Sequence, residues 1–135
     1  MARLLVVEDV APIREFLAAL LVEEGHEVYT AADGVEALAT LRRSPVPLVV
    51  LLDVLMPRVT GVAILRLVGQ GEPSLIRHAY VLVTATASAL PHDVVLLVHQ
   101  LEVPIVAKPF DVQDLLRIVQ ATITRQFLQA EATGT

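Results

Sequence analysis

Arg3-Leu4-Leu5-Val6-Val7-Glu8-Asp9 opens the chain with four apolar residues that end abruptly in two acids. A run this short, built from Val and Leu without polar alternation, suits a strand covered on both faces. Pro12 follows at a position that fits the first turn of a helix, and Gly25 is placed to end it. Working outward, the same unit recurs. Residues 48–52, 80–83 and 103–107 are further apolar runs, ending in Asp53, Thr84 and Lys108, and residues 26–30 are a weaker, partly alternating run that suits an edge strand.

Helical spacing fills the intervals. The helix over residues 12–24 carries Ile13, Phe16, Leu17, Leu20 and Leu21 at three- and four-residue intervals, which predicts one buried face. Asp33-Gly34 opens a second helix to about Arg43, a third covers residues 62–68, Pro91 begins a fourth, and Asp111 caps a fifth that reaches about Leu128. Residues 69–73 read as a loop and residues 129–135 as a frayed tail, so residues 1–128 form the expected domain. Five β-α units in sequence predict an α/β fold, a parallel sheet with helices on both faces. The carboxyl ends of its strands would then line one edge, where such sheets bind ligands.

Composition narrows the function. With 135 residues, 55% of them hydrophobic, the chain has material for one packed core. Its longest apolar stretch, residues 46–52 with Pro47 inside, is far below the roughly 20 residues of a membrane-spanning helix. Met1-Ala2-Arg3-Leu4 carries no leader pattern, so a cytoplasmic location is expected. A net charge of −5 without a basic cluster argues against direct nucleic-acid binding, and the lack of cysteine excludes thiolate chemistry. His26, His78, His92 and His99 show no convergent metal spacing. Nine of the ten basic residues are Arg, and the only lysine, Lys108, ends an apolar run.

Taken singly, these polar residues are ordinary: an acid pair such as Glu8-Asp9 is most often a solvated turn, and a lysine usually snorkels. Together they are not. Glu8, Asp9 and Asp53 offer the hard oxygens that suit Mg²⁺, and Lys108 offsets their mutual repulsion. An aspartate can accept a phosphoryl group, a reaction in which the protein mainly positions groups and neutralises charge.

Val6-Val7-Glu8-Asp9, Leu51-Leu52-Asp53-Val54-Leu55-Met56-Pro57 with Gly61, Val83-Thr84-Ala85 and Lys108-Pro109-Phe110 occur in this order over residues 3–128. The chain thereby resembles the receiver domains of bacterial two-component response regulators. The resemblance implies a flavodoxin-like (βα)5 doubly wound sheet of strand order 2-1-3-4-5. It implies Asp53 as phosphoacceptor, Mg²⁺ held by Glu8, Asp9 and Asp53 with the Leu55 backbone carbonyl, and Thr84 and Lys108 on the phosphoryl oxygens. The Lys-Pro peptide is commonly cis in that family. A histidine kinase or phosphotransfer protein would be the donor. The fourth helix, fifth strand and fifth helix would meet a downstream protein or a second copy in a homodimer. The result would be a switch that gains and loses its own phosphoryl group, with no output domain attached, rather than a turnover enzyme.

Two positions depart from the pattern: Ile105 stands where Tyr or Phe is usual, and Thr60 where Asp is frequent. Ile105 keeps open a pseudo-receiver that acts as a constitutive interaction or dimerisation scaffold. An aspartate-nucleophile phosphatase of the haloacid dehalogenase type would need a second Asp at Leu55.

Overall fold

The computed structural model describes residues 2–54, 56, 58–85 and 87–132. Strands β1 (Arg3–Val7), β2 (Glu27–Ala31), β3 (Val49–Asp53), β4 (Ala79–Thr84) and β5 (Ile105–Ala107) pair in parallel in the order β2-β1-β3-β4-β5. The helices are α1 (Ala11–Glu23), α2 (Gly34–Arg43), α3 (Gly61–Gly69), α4 (His92–Gln100) and α5 (Val112–Ala132). This is the flavodoxin-like order expected from the sequence.

Alternation along each strand builds two cores. Leu5, Val7, Val50, Leu52, Tyr80 and Leu82 face one side, where Ala37, Leu41, Ile64, Leu65, Val94 and Val98 of α2, α3 and α4 cover them. Leu4, Val6, Val49, Leu51, Val81 and Val83 face the other, under Leu17 and Leu21 of α1 and Leu115 and Val119 of α5. Both faces of the central strands are dry, which is why β1, β3 and β4 read as runs rich in Val and Leu without polar alternation.

Local chemistry sets the helix ends. Asp33 and Asp111 accept from the amides of Glu36 and Asp114, at 2.9 and 3.1 Å. Thr60 does the same for Ala63 at 3.1 Å. The departure from Asp at position 60 is therefore conservative, since Thr and Asp share the ability to cap. Gly25, at φ 92°, lies just past α1, where a side chain would be strained.

Four expectations need correction. Phe16 is not buried: it is 49% exposed, while Leu17 and Leu21 make the core contact. Successive helical residues lie about 100° apart, so Phe16 sits a quarter-turn off the line through Leu17 and points along the flank of α1. Residues 129–132 are not a frayed tail but the last turn of α5. Gln, Ala and Glu are strong helix formers, and no Gly or Pro intervenes before Gly134. The fifth strand begins at Ile105 rather than residue 103, because the Val103 amide closes α4 on the Val98 carbonyl at 2.9 Å and Pro104 has no amide to donate. The expected loop over residues 69–73 is shorter, since Gly69 ends α3 and Pro73 opens a single helical turn, Pro73–Ile76, before β4.

Candidate functional site

Parallel register brings the polar strand ends together. Val7 of β1 pairs with Leu52 of β3, Asp53 with Val83 of β4, and Thr84 with Ala107 of β5. Glu8, Asp53, Thr84 and Lys108 therefore follow one another along the carboxyl edge of β1, β3, β4 and β5. Thr30, by contrast, lies exposed on the outer strand β2.

Glu8, Asp53 and Thr84 are 2%, 8% and 1% exposed, and Asp9 is open to solvent. One carboxylate oxygen each of Glu8, Asp9 and Asp53 lies within 4.8 Å of the others. The Lys108 ammonium donates to Glu8 Oε1 at 2.6 Å and stands 3.7 Å from Asp53 Oδ1. Buried Glu8 and Asp53 with Asp9 beside them would repel one another, and Lys108 offsets part of that cost. Burial alone would push the Glu8 carboxyl up. Hydrogen bonds with Lys108 and Asp53, and the Lys108 charge, outweigh it and hold Glu8 below its ordinary value.

The backbone holds these groups in place. The Glu8 amide extends the β1–β2 ladder to the Ala31 carbonyl at 3.1 Å, and the Val10 amide donates to Glu8 Oε2 at 3.3 Å. Arg14, one turn into α1, donates to the Glu8 carbonyl at 2.9 Å; the sequence reading had not singled it out. The Lys108 amide donates to the Thr84 carbonyl at 2.9 Å, and the Lys108–Pro109 peptide is cis. Gly61 is there because the loop after β3 doubles back on itself: a Cβ at Gly61 would stand 2.2 Å from the Asp53 carbonyl oxygen. Its amide donates to the Val54 carbonyl at 2.9 Å. The expected Leu55 carbonyl ligand lies outside the described residues.

Beside this cluster runs an open apolar groove of about 570 Å³, lined by Pro12, Ile13, Phe16, Ala85, Pro109 and Phe110, with Lys108 at its edge. The exposed Phe16 ring belongs to it.

A buried-sheet α/β fold with three acids, a hydroxyl and one lysine at the strand ends defines a class, and the sequence comparison agrees. Residues 4–120 match the Response regulator receiver domain family. The chain belongs to that family, the receiver domain of two-component signalling. It is 33% identical over 125 residues to response regulator RR06 of Streptococcus pneumoniae, a match covering 93% of this chain and 54% of that protein. The chain thus spans about half the length of this curated relative. Among solved structures, a response regulator receiver domain protein from Clostridium thermocellum superimposes with TM-score 0.79 at 27% identity, over 96% of this chain and 99% of that one. The chemotaxis protein CheY4 of Vibrio cholerae does so with TM-score 0.72 at 28% identity, over 90% and 98%. Among the described residues, no helix is long and apolar enough to cross a membrane.

Proposed function

We propose that the chain accepts a phosphoryl group on Asp53 from the phosphohistidine of a histidine kinase or phosphotransfer protein, and that the modified domain changes its protein contacts. The observation that carries this reading is the convergence of Glu8, Asp9 and Asp53 with Lys108 at the strand ends. An Asp53 carboxylate oxygen attacks phosphorus, the P–N bond to the donor imidazole breaks, and the imidazole leaves with the electron pair and takes up a proton. Lys108 neutralises charge on one phosphoryl oxygen and the Thr84 hydroxyl is assigned to another.

The donor set fits Mg²⁺, being all hard oxygen, with exposed Asp9 leaving room for retained waters. Glu8, Asp9 and Asp53 would hold the ion, and the Leu55 carbonyl completes the set on sequence grounds alone. When bound, it supplies positive charge to the phosphoryl oxygens.

The groove at Phe16 is continuous with the phosphoacceptor site through Lys108, which suits it to the phosphodonor protein. On the side of α4, β5 and α5, Ile105 and Leu96 are exposed apolar residues, a surface for a downstream protein or a second copy. The expected compartment is the cytoplasm.

Ile105 favours a second reading, a constitutive scaffold. β-Branched and stiff at χ1, it cannot make the large rotamer change of the aromatic ring usual at this position. One experiment separates the two: intact-mass analysis after incubation with Mg²⁺ and acetyl phosphate. Wild type should gain one phosphoryl group and Asp53→Asn none. Equal labelling of both would remove the assignment, and no labelling of either would leave the scaffold.

A further inference from the structure

The loop between β3 and α3 reaches α2 through Arg58. Arg58 has φ 70°, a left-handed conformation that L side chains avoid and glycine adopts freely. Its guanidinium reaches α2, where Arg58 Nη1 donates to Asp33 Oδ2 at 3.0 Å. The other oxygen of Asp33 caps α2 by accepting from the Glu36 amide at 2.9 Å. Asp33 thus uses one oxygen for each of two elements.

The neighbouring residues make the same junction without charge. A Cβ on Gly34, the first residue of α2, would stand 2.0 Å from the Val59 carbonyl oxygen. Loop backbone and helix start are therefore in direct contact. At its far end the loop rests on Asp53 itself, through the close approach of Gly61 to the Asp53 carbonyl and the bond from the Gly61 amide to the Val54 carbonyl. Residues 58–61 are thus held at one end by α2 and at the other by the backbone of Asp53 and Val54.

We propose that the Arg58–Asp33 pair is a positioning contact: it holds the β3–α3 loop against α2 and thereby sets how readily water reaches a phosphorylated Asp53. The inference rests on Asp53 being the phosphoacceptor. A wholly exposed ion pair would do little of this. Here the Arg58 side chain is 63% exposed, but Asp33 is only 17% exposed and already held by its capping bond, so pairing orders only one long side chain. The effect falls on the hydrolysis of the phosphorylated form, with Arg58 and Asp33 touching no reacting atom.

Four variants test this. Arg58→Gly suits the backbone and removes the guanidinium, while Arg58→Lys keeps the charge. Asp33→Asn keeps a capping oxygen and loses the charge, and a double variant combines Arg58→Gly with Asp33→Asn. Two quantities are read: amide exchange at Gly61 in the unmodified protein, and the lifetime of phosphorylated Asp53 once acetyl phosphate is removed. Arg58→Gly and Asp33→Asn should each speed Gly61 exchange and shorten the lifetime by about two- to fivefold, the range such a pair carries. The double variant should go no further than either single one, and Arg58→Lys should recover part of the loss. The melting temperature of Asp33→Asn should stay near that of wild type, which separates positioning from unfolding. Unchanged Gly61 exchange in Asp33→Asn would overturn the proposal whether or not Asp53 is ever labelled. Additive single effects would overturn it too. A wild type that is not labelled at Asp53 while Gly61 exchange responds would instead refute the phosphoacceptor reading.

Discussion

His78 is a residue whose role composition could not show. Its ring is buried at the start of β4, where Nδ1 accepts from the Leu48 amide at 2.9 Å and Nε2 donates to the Leu41 carbonyl at 2.9 Å. The bond accepted at Nδ1 requires the neutral ring, since a protonated Nδ1 cannot accept, and burial with the nearby Arg77 charge holds the His78 pKa below its ordinary value. Protonation is then taken up by the unfolded chain before the folded one. This part of the stability is intact above the unfolded value of about 6.5 and is lost as pH falls from there toward the folded value. Urea unfolding at pH 7.5 and 5.5 should show the difference in wild type and a smaller one in His78→Ala. His78→Ala should also cost about 2 kcal/mol at pH 7.5, because a buried amide and carbonyl lose their partner. Lys108 makes the opposite point, since its solitude and its place after an apolar run marked it in the sequence. Its ammonium fits between Glu8 and Asp53 at 2.6 and 3.7 Å. Lys108→Arg should slow labelling of Asp53 on the order of ten- to a hundredfold, the penalty of roughly an ångström of misplacement, although the charge is kept. Equal initial rates with acetyl phosphate would reduce Lys108 to a generic cation.

Elements were legible where their signal was periodic and illegible where it depended on neighbours. The apolar runs disclosed β1, β3 and β4 because burial on both faces leaves no room for polar residues. β5 is three residues long, and its start depends on how α4 ends, which no local pattern records. The orientation of Phe16 depended on how wide an arc of α1 the sheet covers, so helical spacing alone overstated its burial. Phe16→Ala should consequently leave stability and acetyl phosphate labelling unchanged while slowing transfer from a phosphorylated phosphotransfer protein, measured by loss of label from the donor. Slowing with both donors would assign Phe16 to the site rather than to docking. On the other flank, Arg66 of α3 grips Asp93 of α4 in a fork at 2.7 and 3.0 Å. The position of Gly69 brings the same two helices together at Leu97. With α4 braced in this way and Ile105 in place of a ring, beryllium fluoride should produce only a modest change in hydrogen exchange over residues 92–106. A change there as large as that around Asp53 would show that Ile105 does not weaken the switch.

For the whole molecule, the order of hydrophobic runs and polar strand ends narrowed the topology to a few right-handed arrangements of parallel β-α units, and the family resemblance chose the order 2-1-3-4-5 among them. The same order places Glu8, Asp9, Asp53, Thr84 and Lys108 on one edge. What it could not show was contact across loops: Arg14 on the Glu8 carbonyl, Arg58 on Asp33 and Val59 against Gly34 join residues whose sequence spacing carries no period. The central claim concerns one carboxylate in a sheet crevice of a chain carrying net charge −5. It is tested most directly by incubating the protein with acetyl phosphate in Mg²⁺ or in EDTA, and then reducing with borohydride, which converts an acyl phosphate on aspartate to homoserine. Peptide mass mapping should find the conversion at Asp53 in the Mg²⁺ sample and not in the EDTA sample. Conversion at another acid, or equal conversion without the metal, would contradict the account.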